Sequence, residues 1–236
     1  MSDVAQSPAS TAALAPRRAG RPPRAAEEGR TAILRGALEV FAEAGFRGAS
    51  IAAIAKKAGV ARPLVLYHFK SKEELWRRAV GQAYDAMRDD LLGAQQDLAS
   101  LPPRGVVQAF ARRAVFFAAR HPALVRLVVE EIGKPGPRAT WLIETHVAPL
   151  YDMARQLVGA LNALPDSPLR PVAAEHFLPI LLGAMNFIFL DAPVMRRVFA
   201  INVMDDAVIE RHANFLADLF MDGLLKRSPY PNPAKD

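Results

Sequence analysis

Residues 30–80 read RTAILRGALEVFAEAGFRGASIAAIAKKAGVARPLVLYHFKSKEELWRRAV, and this stretch decides the fold. Its apolar side chains recur every three to four positions, which is the period of an amphipathic α-helix. Ser50 is a favourable N-cap for one short helix, and Gly59 permits the left-handed backbone that ends it. A second short helix then begins at Arg62. Two short helices joined by a glycine-containing turn predict a helix-turn-helix at about residues 50–69.

The remainder of the chain keeps the helical pattern. Ser71, with Glu74 three positions later, is a capping box, and the helix that it starts is expected to reach about Leu98. Proline-rich breaks then separate several segments with helical apolar spacing. These segments predict helices near residues 104–119, 122–132, 138–162, 172–190 and 205–226. Hairpin signals and strand–helix alternation are missing, so the predicted fold class is all-α.

Composition divides the chain into four parts. Residues 1–26 are rich in Ala, Ser, Pro and Arg and have no apolar period, which predicts a disordered basic arm. Residues 27–80 form the predicted N-terminal three-helix domain. Residues 81–228 are expected to form a larger helical domain, and residues 229–236 a tail.

Composition also excludes several classes of protein. The chain has 236 residues and no cysteine, so it can hold neither a disulfide nor a cysteine-based metal site or nucleophile. Its five histidines match no metalloprotease motif, and serine-hydrolase and phosphate-loop motifs are missing too, so we expect no enzyme, no metal and no cofactor. The first sixteen residues lack the basic start and long apolar region of a secretory signal, and the apolar run at 177–190 is too short for a bilayer of about 30 Å. The prediction is a cytoplasmic protein that does not enter membranes.

The net charge of +6 is concentrated in the N-terminal third. Residues 1–80 hold 14 Lys/Arg and 7 Asp/Glu, whereas residues 81–236 hold 16 and 17. The first segment is therefore +7 and the second −1. A basic excess beside a helix-turn-helix favours phosphate contacts, although a basic face could also serve solubility alone.

The second helix of the motif and its flanks carry side chains suited to double-stranded DNA. Arg62 stands at the helix end that enters a major groove and can donate two hydrogen bonds to a guanine edge. Ser50 and Lys72 begin the helices on either side, where a hydroxyl or a mobile ammonium group can meet a phosphate. The candidate DNA-binding residues of the motif are Ser50, Arg62, Pro63, Tyr67, His68 and Lys72. The alternative is an ordinary three-helix bundle in which Arg62 is solvated and Tyr67 and Phe69 are core.

Three segments of this stretch resemble the TetR family of bacterial transcriptional regulators: FAEAGF at 41–46, SIAAIA at 50–55 and LYHFKSKEEL at 66–75. Beyond them only the number and length of the helices are similar. The resemblance implies that the six motif residues contact DNA, that the chain forms a homodimer, and that the second domain holds a small-molecule effector. Pro63 and Leu66 depart from the pattern, since many members carry a small residue and an aromatic residue there.

A basic segment lies upstream of the predicted domain. Arg18 and Arg21 flank Gly20, and the sequence Gly20-Arg21-Pro22 matches the core of arms that lie in narrow, AT-rich minor grooves. Arginine senses the negative potential of such grooves. We therefore expect both arginines to contact DNA. The alternative is a tail with incidental charge.

The larger domain must supply the dimer face and the effector pocket. Two of its helices are apolar on more than one side, so one side can meet the core and another a partner. The candidate interface residues are Phe177, Ile180, Ala184, Phe187, Phe215, Leu216, Leu219 and Phe220. Aromatic side chains with a few polar groups suggest a pocket, with candidates Phe110, Arg113, Phe117, Trp141, His146, Met185, Asn186 and Phe189. The alternatives are an internal helix pair and plain core packing.

Together these features predict a sequence-specific DNA-binding regulator. The expected form is a homodimeric repressor that leaves a partly palindromic operator when a small apolar or amphipathic effector binds. The rival in another class is a DNA-architectural protein without effector control, which has no need of a large apolar second domain.

Overall fold

The computed structural model describes residues 23–92, 101, 103–163 and 173–224. All regular structure in these ranges is helical, so the predicted all-α fold is confirmed. The elements in chain order are α1 (Pro23–Gly48), α2 (Ile51–Lys57), α3 (Arg62–His68), α4 (Lys72–Leu92), α5 (Pro103–Arg120), α6 (Pro122–Ile132), α7 (Pro137–Leu142), a π-helical turn (Ile143–Val147), α8 (Ala148–Ala163), α9 (Ala174–Leu190), α10 (Ala192–Phe199) and α11 (Asp206–Leu224).

Three boundaries differ from those predicted. Helix α1 begins at Pro23, four residues before the predicted start of the domain. The long helix predicted over 138–162 consists of α7, the π-helical turn and α8. Helix α10 was missed because Pro193 was interpreted as a break, whereas proline is well tolerated in a first helical turn. The stretch between Leu92 and Leu98 lies outside the described residues.

Two glycines shape the N-terminal domain. Gly45 has φ 66° and interrupts the helical backbone of α1 near its end, which turns the chain toward α2. Gly36 lies where α1 crosses α2, and a Cβ placed on it would come within 3.1 Å of the Ala58 backbone nitrogen. A side chain at position 36 would therefore push the two helices apart.

The first hydrophobic cluster joins the N-terminal helices to later ones. Its fully buried side chains include Phe41, Ile54 and Trp76. Leu124 of α6 and Leu142 of α7 belong to the same cluster. The small N-terminal domain is thus closed by two helices from the second half of the chain, which connects any movement of α6 or α7 to α1.

The second cluster lies between α5, α9 and α11. Val115, Met185 and Leu216 are buried at its centre. At its edge, Arg112 of α5 makes a bidentate ion pair with Glu210 of α11, with Nη2–Oε2 and Nε–Oε1 distances of 2.8 Å. This pair is exposed, so it fixes the register of the two helices more than it stabilises them.

No single helix in the described part of the chain is both long enough and apolar enough to cross a membrane. Helices α9 and α10, bent by 65° at their junction, meet the length and composition criteria only as a broken pair.

Candidate nucleic-acid interface

The α2–turn–α3 motif is built by local sequence signals. Ser50 caps α2, and its Oγ accepts a hydrogen bond from the Ala53 amide at 3.1 Å. Gly59, at φ 66°, turns the chain, and an added Cβ there would meet no atom within 4 Å. Helix α3 then begins at Arg62 with Pro63 in its first turn. These are the elements of the predicted motif, in the predicted order.

Helix α3 divides cleanly into a buried face and an exposed face. Val65 is 0% exposed and Phe69 is also buried, so this side of the helix packs in the first cluster. Tyr67 is 82% exposed, and Leu66 is about half exposed. The bundle interpretation with Tyr67 in the core is therefore wrong, whereas Phe69 is core. Arg62 and Pro63 are exposed as well, one helical turn before Leu66 and Tyr67.

His68 is half-buried at the end of α3. Its ring lies 5.2 Å from the Tyr67 ring, and its Nε2 is buried without a hydrogen-bond partner among the described residues. The burial of Nε2 leaves Nδ1 as the ring nitrogen that can reach a phosphate.

Lys72 differs from its sequence interpretation as a mobile cation. Its Nζ donates to the Ala49 carbonyl at 3.0 Å and to the Arg47 carbonyl at 3.5 Å. It also lies 4.7 Å from the centre of the Phe46 ring. The ammonium group has three donors, and two of them are thus used within the protein. Lys72 thereby ties the start of α4 to the segment that leads into α2.

Other exposed basic residues flank the motif. Arg47, Lys56 and Lys70 form no ion pair within the described ranges. Lys57, by contrast, bonds Glu39 at 2.9 Å and Glu43 at 3.4 Å. The hydrogen bonds that Lys57 donates to these carboxylates raise its pKa. Sequence reasoning missed these basic residues without ion pairs, because spacing alone does not distinguish them from Lys57, which is paired.

The candidate effector residues are spread over several parts of the fold. Phe117 is buried in the first cluster and stacks on His121, with ring centroids 4.2 Å apart. Met185 and Phe189 are buried in the second cluster. Arg113 donates to the Asp90 carbonyl at 3.2 Å. The structure does not bring all of these residues to one cavity.

The remaining effector candidates lie elsewhere. Asn186 donates to the Leu182 carbonyl at 2.7 Å, within α9. Trp141 packs edge-on against Trp76, with ring centroids 5.4 Å apart, and His146 lies 5.1 Å from Trp141. The side chain of Phe110 lies outside the described residues.

Trp141 and His146 border a cavity of about 700 Å³. We call it the junction cleft, because it lies between α1 and α4 of the N-terminal domain and the π-helical turn after α7. His146 stacks on Tyr84 with ring centroids 4.5 Å apart, and its Nε2 is buried without a partner among the described residues. Burial lowers the pKa of His146. The cleft is lined by Arg30, Leu34, Ser71, Glu73, Glu74, Arg77, Arg78, Gly81, Gln82, Asp85, Trp141, Thr145 and His146.

The candidate dimer residues are exposed to different degrees. Ile180 and Phe187 on α9 and Phe215 and Leu219 on α11 are each more than half exposed. We call these four residues the apolar face. Of the others, Leu216 is buried inside the protomer, Ala184 is partly buried, and Phe177 meets Phe220 edge-on with ring centroids 5.6 Å apart.

Comparisons of the sequence with known proteins give two kinds of match. Residues 33–79 match the family model for bacterial regulatory proteins of the tetR family. The HTH-type transcriptional regulator RutR of Escherichia coli is 23% identical over 208 residues, which cover 88% of this chain and 96% of RutR.

Solved structures share the fold at low sequence identity. A fatty acid metabolism regulator of Clostridium perfringens has a TM-score of 0.65 at 18% identity and covers 83% of this chain and 100% of its own. FadR of Bacillus subtilis, solved with stearoyl-CoA, has a TM-score of 0.59 at 14% identity, with coverage of 82% and 98%. At these identities the structural likeness concerns the fold alone.

Proposed function

We propose that this chain is a transcriptional regulator of the TetR type that acts as a homodimeric repressor on a partly palindromic operator. A small apolar or amphipathic effector releases it from DNA. The observation that carries the proposal is the exposed face of α3, which the protomer itself leaves without a partner. Its Tyr67 is the most exposed of the large apolar side chains in the described ranges.

The exposed face of α3 is suited to a major groove. Arg62, at the N-terminal end of the helix, can reach the O6 and N7 atoms of a guanine. Pro63 and Leu66 offer apolar contact to thymine methyl groups, and Tyr67 can donate to a phosphate. Ser50 presents the N-terminus of α2 to the DNA backbone. Base reading is thus assigned to Arg62, and the flanking residues position the helix.

The upstream arm adds a second contact in this proposal. Arg18 and Arg21 lie outside the described residues and directly precede α1, which starts at Pro23. Helix α1 belongs to the DNA-binding domain, so a chain leaving its start can reach the groove next to the one that α3 enters. Two arginines without neighbouring acids favour a narrow minor groove.

The apolar face supports the homodimer. Monomeric proteins rarely leave several large apolar side chains exposed together, and such patches mark interaction surfaces. A second copy places the same face opposite itself around a twofold axis. Two α3 helices are then expected about one DNA turn, roughly 34–36 Å, apart or a multiple of it.

Effector control is supported by the junction cleft. An effector releases DNA only if it binds the DNA-incompetent conformation more tightly. Helix α4 begins next to the motif and lines the cleft, so it is the natural transmitter of a shift. FadR of Bacillus subtilis binds stearoyl-CoA. By this analogy we expect an effector with an apolar portion.

The rival function is DNA packaging without effector control. Nonspecific binding follows phosphate neutralisation and is nearly independent of sequence. Specific regulators bind their sites typically about 10³–10⁷ times more tightly than other DNA. Measured specific and nonspecific affinities therefore separate the two functions.

The test is selection of bound sequences from a random DNA library, followed by native mass spectrometry of the best complex. We expect two protein chains on one duplex, with half-sites related by a twofold axis. A single chain on a site without twofold symmetry overturns the dimeric proposal. Equal affinity for all DNA favours the packaging function.

A further inference from the structure

We propose that the junction cleft binds a small organic anion, with a carboxylate or phosphate on an apolar body, and that this ligand bridges the two domains. The inference rests on the proposed function, because it assigns a ligand class to the regulation of DNA binding. It differs from the sequence-based effector set, of which only Trp141 and His146 border the cleft.

The carboxylates of the cleft are already engaged. Glu73 pairs with Arg77 at 3.1 Å, and Glu74 accepts a hydrogen bond from the Lys70 amide at 2.9 Å. Asp85 pairs with Arg88 at 2.9 Å. Each carboxylate that lines the cleft is therefore already bonded within the protein, Glu73 and Asp85 to an arginine and Glu74 to a backbone amide.

The basic residues are less fully engaged. Arg78 is exposed and has no hydrogen bond or ion pair within the described part of the chain. Arg30 has a single carboxylate partner, the exposed Glu27, at 3.4 Å. The lining holds three arginines and three carboxylates, and Arg78 on α4 and Arg30 on α1 are the two arginines with a donor group to offer a ligand. Arginine binds carboxylates and phosphates in a bidentate geometry, which fits it to this task.

The rest of the lining suits an apolar body. Leu34 lies on the α1 side, and Trp141 lies on the opposite side under the Arg77 guanidinium, 5.0 Å from the ring centre. Gly81 lies between them on α4, where an added Cβ would meet no atom within 4 Å. Alanine is favoured over glycine within a helix by roughly 1 kcal/mol. Glycine at this position leaves open space above the helix that a ligand can fill.

A ligand in this position touches both halves of the molecule. Its anionic group meets α1 and α4, and its body meets Trp141 at the end of α7. Binding would set the angle between the N-terminal domain and α7, and through it the separation of two α3 helices in a dimer. Operator affinity is therefore expected to change when the cleft is occupied.

The experiment is isothermal titration calorimetry of the full chain with three probes of similar shape. These are 2-naphthoate, 2-naphthyl phosphate and the neutral 2-naphthamide. We expect at least one anion to bind with a Kd below about 1 mM and at least about tenfold more tightly than the amide. The two anions distinguish a carboxylate ligand from a phosphate ligand. The proposal is overturned if neither anion binds, or if the amide binds equally well.

Matched variants locate the binding site. Arg78→Gln and Gly81→Leu should each weaken anion binding at least about tenfold. Arg126→Gln, at an exposed arginine of α6, and Gly159→Leu, at an open helical glycine of α8, should leave it unchanged. Unchanged binding by both cleft variants overturns the assignment.

A parallel operator titration of the same variants separates this inference from the proposed function. If the cleft variants bind the operator but not the anion, the cleft is the anion-binding site and is separate from the DNA-binding surface. If wild type binds the anion but no specific DNA, the proposed function is at fault and the cleft assignment stands.

Discussion

The two halves of this molecule differ in how many of their large apolar side chains are exposed. Among the side chains described between residues 27 and 90, only Leu66 and Tyr67 are exposed large hydrophobics, and both lie on α3. Among the described residues from 101 to 224 there are fourteen, including the apolar face. The N-terminal domain thus exposes apolar groups only where DNA is proposed to lie. The second half leaves a surface that a single chain does not cover.

Under the proposed function, this contrast reflects two different partners, DNA for the N-terminal domain and a second copy of the chain for the other half. DNA binding requires only a few exposed apolar side chains on one short helix, because the affinity comes mainly from phosphate contacts. Binding of a second protein chain requires a broad apolar surface, because burial of apolar area drives association. The exposed residues therefore point to the kind of partner as well as to its place.

The largest difference between the two halves is expected from the substitution of one buried and one exposed phenylalanine. Phe41→Ala should lower the free energy of unfolding by about 3–5 kcal/mol, since Phe41 is 1% exposed in the first cluster. The loss should not depend on protein concentration. Phe187→Ala, at a position 63% exposed, should instead lower stability in a concentration-dependent way, because only the dimer buries it. Chemical denaturation at several protein concentrations measures both effects. Identical behaviour of the two variants removes the distinction between the halves.

The DNA-facing side can be tested at α3. Arg62→Ala should weaken specific operator binding by about 1–3 kcal/mol and relax the preference for one base. Lys56→Ala, at an exposed lysine of α2, is the comparison and should act mainly through charge, making the salt dependence shallower by about one phosphate contact. Fluorescence anisotropy over a range of salt concentrations gives both quantities. If Arg62→Ala lowers specific and nonspecific affinity equally, Arg62 is a backbone contact.

Removal of the arm tests how far the DNA surface extends. Deletion of residues 1–22 should leave the helical content unchanged, because α1 starts at Pro23. Affinity should fall by about three- to tenfold, and most on operators with AT-rich flanks. A control with Arg18 and Arg21 both changed to Gln should reproduce the loss. Equal binding by all three proteins at low salt contradicts a role for the arm.

Low pH should reduce the stability of the protein through His146, which lies at the junction cleft. Burial lowers the pKa of His146 below its ordinary value of 6.5, so the unfolded state binds the proton more readily. Stability is then fully present above about pH 6.5 and is lost as the pH falls below that value. His146→Phe should reduce this acid loss, whereas His176→Gln, at an exposed site on α9, should not. An unchanged pH profile for His146→Phe contradicts the assignment.

Sequence reasoning was most successful where local chemistry sets the structure. The Ser50 cap, the Gly59 turn and the start of α3 at Arg62 follow from caps and backbone preferences. The burial of Val65 beside the exposure of Tyr67 depends on the side from which α1 packs against α3, which helical spacing indicates only in part. Contacts between residues far apart in the sequence were missed for the same reason, because helical spacing does not show how two helices pack together.

Three outcomes show what the sequence could not provide. Lys72 is anchored by carbonyls more than twenty positions away along the chain. The effector candidates were grouped by residue type, but Met185 packs in a different cluster from Phe117. The junction cleft is formed by side chains from α1, α4 and the π-helical turn, and no motif in the sequence joins them.

The most direct test of the central claim is the mass of the full chain in solution by sedimentation equilibrium. The apolar face predicts a dimer of twice the 25.7 kDa chain for the wild-type protein. Phe187→Glu should give a folded monomer, because a charge at the interface would lose its hydration without a partner. Val129→Glu, at an exposed valine of α6 outside the apolar face, should remain a dimer. A monomeric wild type, or a Phe187→Glu variant that stays dimeric, would contradict the account.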